Sequence, residues 1–184
     1  MEKIVLLAGT AGQGMQSTGL LLSQAAAKEG KEVCCYRVLS GSRRSGITYC
    51  YLTVSDERIG APERAKCDCV VMNHEECVPY FFNHVLPGGM QCLNSDYCNA
   101  DIPETGFPTA KVSFSSLAIE AGSVKTMSVV TMGFVNAAVN LVSEENAKAA
   151  LKEKFGAKPA LLEMNIRAYD AGAEAARKFK EANQ

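Results

Sequence analysis

Apolar residues fall in short runs separated by polar, glycine- or proline-bearing stretches, and the runs are of two kinds. Ile4-Val5-Leu6-Leu7-Ala8 is continuous and short, the pattern of a strand buried on both faces. Over Met15–Lys28, Leu20, Leu21, Ala25 and the alanines that follow recur at helical spacing, and Gly30 supplies a C-terminal stop. Residues 31–38 read as a second strand. Ile47–Ser55 is β-branched and aromatic with partial alternation, a strand with one wetter face. Asp56-Glu57-Arg58 is a turn, and Pro62 closes that region. Cys67–Met72 is a short apolar strand bounded by Asn73. Residues 75–82 predict a helix, Pro87-Gly88-Gly89 a sharp turn into a strand over 90–93, residues 94–108 an exposed loop, and 111–114 another short strand. The C-terminal part turns helical. Residues 127–142 are long, apolar and rich in small side chains, so they belong in a core or against a partner. Ser143-Glu144-Glu145 resembles a helix start ahead of 147–155, and 161–180 completes the set with alanines on one face.

Alternating strands and helices with glycine turns predict an α/β fold. Its form is a single Rossmann-like open, mostly parallel sheet flanked by helices, with a helical C-terminal part and one domain over 1–184. The 184 residues are 47% hydrophobic, enough for a full core. A net charge of −1 gives no electrostatic case for nucleic acid. No run of about 18 apolar residues is present to span a membrane. Met1-Glu2-Lys3 leads directly into the first strand without signal-peptide features, so a cytoplasmic location is expected.

Eight cysteines in such a chain are expected to be reduced, and their spacing contains no Cys-x-x-Cys and no iron–sulfur pattern. They read as small buried hydrophobes. The two histidines, His74 and His84, form no ligand pair and sit beside no nucleophile motif, so surface or capping roles are expected. No catalytic or metal-ligating residue is assigned.

The candidate chemistry lies in two loops. Gly9-Thr10-Ala11-Gly12-Gln13-Gly14 follows a strand and opens a helix, a geometry that aims backbone N–H groups and a helix N-terminus at an anion. It is not a P-loop, because Met15-Gln16 follow Gly14 where Lys and Ser/Thr are needed. It is not a dinucleotide fingerprint either. The glycines read G-x-x-G-x-G, and the second strand ends in Arg37 rather than in an acid for the ribose. The second loop is Gly41-Ser42-Arg43-Arg44-Ser45-Gly46. Loops at the carboxyl ends of parallel neighbours share a crevice, so Arg43 and Arg44 are expected near Gly12-Gln13-Gly14, where they would complete a phosphate or carboxylate pocket.

These motifs together resemble the gamma subunit of the 2-oxoacid:ferredoxin oxidoreductases, which act on pyruvate, 2-oxoglutarate, 2-oxoisovalerate or indolepyruvate. The family's G-x-G-G-Q-G is matched at residues 9–14, and its G-P-E-x-R-G-G by Gly41 to Gly46, with Arg44 and Gly46 as the counterparts. V-S-D-x-x-I-x-S-P is close to residues 54–62, K-P-G-G to Leu86-Pro87-Gly88-Gly89, and E-x-N to Glu163-Met164-Asn165. An aromatic-x-x-G matches Tyr169 to Gly172. The sequence departs from the family at Ala11, in a loop one residue shorter whose acid before the arginine is replaced, in the double glycine, which reads Ser45-Gly46, and at Ser128 (often asparagine there).

The resemblance implies a subunit that is inactive alone, within a complex using thiamine diphosphate, Mg²⁺, iron–sulfur clusters and coenzyme A, none of them assigned to this chain by itself. The implied partners are alpha, beta and ferredoxin-like delta subunits, with a homodimer allowed for the isolated chain. Gly9, Gly12, Gln13, Gly14, Gly41, Arg43, Arg44 and Gly46 would then form an anion pocket on the coenzyme A side. Two other readings stay open: a repurposed non-catalytic scaffold, which the altered arginine loop favours, and a free-standing nucleotide-cofactor oxidoreductase, which the missing ribose acid disfavours.

Overall fold

A computed structural model describes residues 1–39, 46–99 and 106–183. The first apolar run forms β1 (Glu2–Thr10), and the glycine turn feeds α1 (Met15–Lys28). β2 (Glu32–Val38), β3 (Ile47–Ser55) and β4 (Cys67–Met72) follow close to their expected bounds. Residues 75–82 split into a 3-10 turn, Glu75–Cys77, and a four-residue α2, Val78–Phe81, with Pro79 in the first turn, where its missing N–H does no harm. β5 (Val85–Asn94), β6 (Thr109–Val112), α3 (Phe114–Ala121), α4 (Met127–Val139), α5 (Glu144–Phe155) and α6 (Pro159–Ala182) complete the order, with a 3-10 turn at Val124–Thr126.

The strands form one sheet in the order β2-β3-β1-β4-β5-β6. β1, β4, β5 and β6 pair in parallel, whereas β3 runs against both β1 and β2. The connection between β2 and β3 is therefore a hairpin and not a parallel crossover. It still leaves and re-enters at the edge where β1 ends, since Val38 lies opposite Tyr49 and Thr10 opposite Ile47.

Three local expectations need correction. Pro87-Gly88-Gly89 is not a turn ahead of a strand but a bulge inside β5: Cys67 pairs with Val85 and Cys69 with Met90, so the extra residues loop out. Gly88 has φ of 79°, and a side chain on Gly89 would meet the Asp68 carbonyl at 2.7 Å. The stretch 94–108 is not uniformly exposed, because Asn94 and Cys98 are buried. Residues 111–114 are not all strand: β6 ends at Val112, and Phe114 opens α3, an unexpected helix. The cap of α3 comes from far along the chain. Asp96 accepts the backbone N–H groups of Ser115 and Ser116 at 2.7 and 3.1 Å, a tertiary contact with no local signature.

The two faces of the sheet are covered unequally. Val5, Leu7, Leu52, Val71 and Cys92 face α1, α3 and α4, with α5 and α6 packed beyond them. Ile4, Leu6, Tyr51, Val70 and Leu93 face the other way and are covered mainly by Cys77, Val78 and Phe81. α4 lies between the sheet and α6, so residues 129–136 are buried on every side, which explains why its sequence shows no polar face. The expectation of buried cysteines holds for Cys50, Cys67, Cys69, Cys77, Cys92 and Cys98; Cys34 and Cys35 are half-buried, and all eight are free thiols. No helix among the described residues is long and apolar enough to cross a membrane.

Candidate functional site

The carboxyl ends of β1, β4 and β5 and the starts of α1, α3 and α4 meet at one edge of the sheet. Gly12 (φ 93°) and Gly14 (φ 78°) take left-handed backbone conformations that only glycine adopts readily, which lets the chain reverse directly from β1 into α1. Around Gly12 there is open space, so the apex of the loop faces outward. Gly9 and Gly14 are small for a different reason. A β-carbon at Gly9 would meet Gln13 Oε1 at 2.7 Å, and one at Gly14 would meet Ser128 Cβ at 2.7 Å.

Gln13, expected as a ligand contact, ties the loop down. Its Oε1 accepts the Thr10 N–H at 2.8 Å, and its Nε2 donates to the Asn73 carbonyl at 3.2 Å. The loop shape is thus held from both sides, by β1 and by the residue after β4. On the other flank, the Thr18 hydroxyl donates to the Ser128 carbonyl at 2.8 Å, joining the first turn of α1 to that of α4. Two helix N-termini consequently converge beside the glycine loop, each favouring negative charge.

Beneath the loop lies a polar cluster that sequence reasoning missed. Asn73 and Asn94 occupy equivalent positions, one residue beyond the paired Met72 and Leu93. Each donates its amide to Met127 Sδ at 3.7 Å, and the Ser115 hydroxyl points at the same sulfur at 3.1 Å. Asn94 Oδ1 accepts the N–H groups of Asp96 and Phe114. Asn73 Oδ1 is buried with no hydrogen-bond partner among the described residues. A thioether is a weak acceptor, so this edge holds polar capacity in excess of what it satisfies. The signal in the sequence was two apolar strands that each end in asparagine.

Of the sequence-predicted residues, Gly9, Gly12, Gln13 and Gly14 come together. Gly46 (φ 110°) sits one residue before the Thr10–Ile47 pair, on the same edge. Gly41, Arg43 and Arg44 lie outside the described residues. Gly46 also borders a groove of about 580 Å³ on the thinly covered face, lined by Tyr49, Tyr80, Phe81, His84 and Glu63. There the Tyr49 and Phe81 rings are 5.0 Å apart, and burial pushes the Tyr49 hydroxyl above its ordinary range and His84 below its own. His74 caps the 3-10 turn, its Nδ1 accepting the Glu76 N–H at 3.3 Å, in line with the capping role expected for it. Among the described residues no cluster of His, Cys, Asp or Glu could hold a metal ion.

The fold and this edge define an open α/β protein with a glycine loop between β1 and α1 whose apex faces outward. Residues 4–175 match the family model described as pyruvate ferredoxin/flavodoxin oxidoreductase, and the chain belongs to that family. It is 30% identical to ketoisovalerate oxidoreductase subunit VorA of Methanothermobacter thermautotrophicus over 96% of this chain and 37% of that protein. The chain thus spans little more than a third of the length of that relative. Among solved structures, the keto/oxoacid ferredoxin oxidoreductase gamma subunit from Geobacter sulfurreducens matches 97% of this chain and 98% of its own, with TM-score 0.83 and 23% identity. The 2-oxoglutarate:ferredoxin oxidoreductase from Magnetococcus marinus, solved with 2-oxoglutarate, coenzyme A and succinyl-CoA bound, matches 96% of this chain and 31% of its own, with TM-score 0.86 and 25% identity.

Proposed function

We propose that this chain is the gamma subunit of a multi-subunit 2-oxoacid:ferredoxin oxidoreductase and supplies an anion-binding edge to the assembled enzyme. The observation that carries this reading is the match of residues 4–175 to the family model, together with the glycine loop of residues 9–14 standing between β1 and α1 with its apex facing outward. The expected partners are alpha, beta and ferredoxin-like delta subunits of the same complex.

The glycine loop, two helix N-termini and the arginines at 43 and 44 suit the phosphates of coenzyme A, whose thiol would accept the acyl group made elsewhere in the complex. The role of this chain's own residues is positional. Gln13 holds the loop against Thr10 and Asn73 so that its outward apex keeps one shape, and Gly12 leaves room there for a close approach. The thiamine and cluster chemistry belongs to the partners.

Purification from the native cells without oxygen, with identification of the co-purifying chains, tests the subunit role. We expect thiamine- and cluster-binding partners, together with viologen reduction that depends on a 2-oxoacid and on coenzyme A. In that complex, Arg44→Ala raises the KM for coenzyme A about tenfold, the weight of one charge-assisted phosphate contact, and leaves the KM for the oxoacid unchanged. A lone, inactive chain would favour the scaffold reading, to which the altered arginine loop points.

A further inference from the structure

On the helix-covered face of the sheet, β2 and β3 bring two thiols together at a place the anion site does not use. Cys35 pairs with Leu52 and Arg37 with Cys50, so Cys35 and Cys50 are diagonal neighbours on the same face of an antiparallel ladder. α1 crosses directly above them, and the residue it presents is Gly19. A β-carbon there would lie 2.8 Å from Cys50 Sγ and 3.2 Å from Cys35 Sγ. The two sulfurs therefore crowd the same point, and α1 carries no side chain where they need room. Cys50 is fully buried and Cys35 is half-buried on an edge strand, so Cys35 is the more exposed residue of the two. We propose that Cys35 and Cys50 form a redox pair in which Cys35 is the site of attack on peroxide and Cys50 the resolving thiol, closing to a disulfide beneath Gly19.

The hydrogen bonding supports this division of roles. The Cys50 proton has two acceptors within reach, the Met15 carbonyl at 3.7 Å and the Cys35 sulfur. Donation to Cys35 is the main cause that brings its thiol down to about 7, against the opposing effect of burial, with further help from the Ser23 hydroxyl and the Arg37 charge. The same contact, together with burial, pushes Cys50 up, so it keeps its proton until it is needed. The buried thiols elsewhere are shifted the other way, Cys67, Cys69 and Cys77 to about 12 and Cys98 to about 11.

In the first step the Cys35 thiolate attacks one peroxide oxygen, the O–O bond breaks and hydroxide leaves, giving a sulfenic acid. The Cys50 sulfur then attacks Cys35 Sγ; the S–S bond forms, the S–O bond breaks, and the departing hydroxide takes the Cys50 proton and leaves as water, while the hydroxide of the first step takes from solvent the proton that Cys35 had released. Two thiols lose two electrons and one peroxide becomes two waters. A dithiol reductant reverses the reaction. The closed bond bridges the ends of residues 35–50, the segment that carries Arg43 and Arg44, and pins the edge strand β2 to β3.

The full-length protein, prepared reduced and treated with a stoichiometric amount of hydrogen peroxide, tests this by mass spectrometry. The expected product has lost two hydrogens and yields a non-reduced peptide pair joining the segments around Cys35 and Cys50. Cys34→Ser keeps this reaction, and Cys35→Ser abolishes it. Cys50→Ser stops at a sulfenic acid on Cys35 that a cyclic 1,3-diketone traps. A peroxide product that survives Cys35→Ser, or one that disappears in Cys34→Ser, would overturn the proposal.

Discussion

Asn73 and Asn94 are the same residue type at the same register, yet their neighbours give them different energetic roles. Asn94 Oδ1 holds two backbone N–H groups, those of Asp96 and Phe114, and the second opens α3. Removing it leaves two donors unpaired, that of Phe114 in a buried place. Asn94→Ala is therefore expected to lower the unfolding free energy by about 2–3 kcal/mol, measured by urea denaturation. Among the described residues Asn73 Oδ1 has no partner to lose, and its amide meets only a thioether. Asn73→Ala is expected to cost less than about 1 kcal/mol in the same measurement, because the desolvation penalty of the orphaned oxygen disappears with it. Equal losses for the two variants would show that Asn73 Oδ1 is satisfied in solution. Neither asparagine was readable as a buried group from the sequence, since an asparagine after a strand is normally the start of a loop.

α4 and α6 meet through two glycines, Gly133 and Gly172. A β-carbon on Gly133 would lie 2.0 Å from the Tyr169 carbonyl oxygen, and one on Gly172 would lie 1.9 Å from that of Val130. The obstacle in both cases is backbone, which cannot rotate away as a side chain can. Each helix thus supplies the gap into which the other's carbonyl fits. Gly133→Ala or Gly172→Ala forces the axes apart and opens the packing around Tyr169, whose hydroxyl receives the Asn136 amide at 2.8 Å. The expected cost is about 3 kcal/mol, the upper end for overpacking. That corresponds to a fall in Tm of roughly 6–12 °C for a chain of this length, read by calorimetry. The double variant is expected to lose less than the sum, because the first substitution has already separated the helices. At this scale the sequence predicted the apolar helix and the aromatic-x-x-G, but it could not say that these glycines belong to one crossing.

Glu29 joins distant parts of the molecule. It sits at the end of α1 and accepts the Ser143 N–H at 2.6 Å and the Asn146 amide at 3.2 Å, placing a carboxylate at the N-terminus of α5. Burial pushes its carboxyl up, but the Ser143 and Asn146 hydrogen bonds and Lys31 outweigh that and hold it below the ordinary range. A lowered folded-state pKa stabilises the protein above the ordinary carboxylate range, and that stability is lost as pH falls through the folded pKa. Glu29→Gln is therefore expected to be about 1 kcal/mol less stable than the parent at pH 7, with the gap closing in acid; thermal melts at a series of pH values check it. By itself, the sequence determined the alternation of buried strands with helices, the glycine loop at its place after β1, and the bounds of Met15–Lys28, Ile47–Ser55 and Cys67–Met72. All of these are written in the period of apolar residues and in local turn chemistry. Only the tertiary structure decided that β3 runs antiparallel, that one face of the sheet carries nearly all the helices, that Asp96 caps α3, and that Cys35 and Cys50 share the space under Gly19. Those outcomes depend on partners tens of residues apart, chosen by packing and hydrogen-bond satisfaction, and no local pattern encodes such a choice.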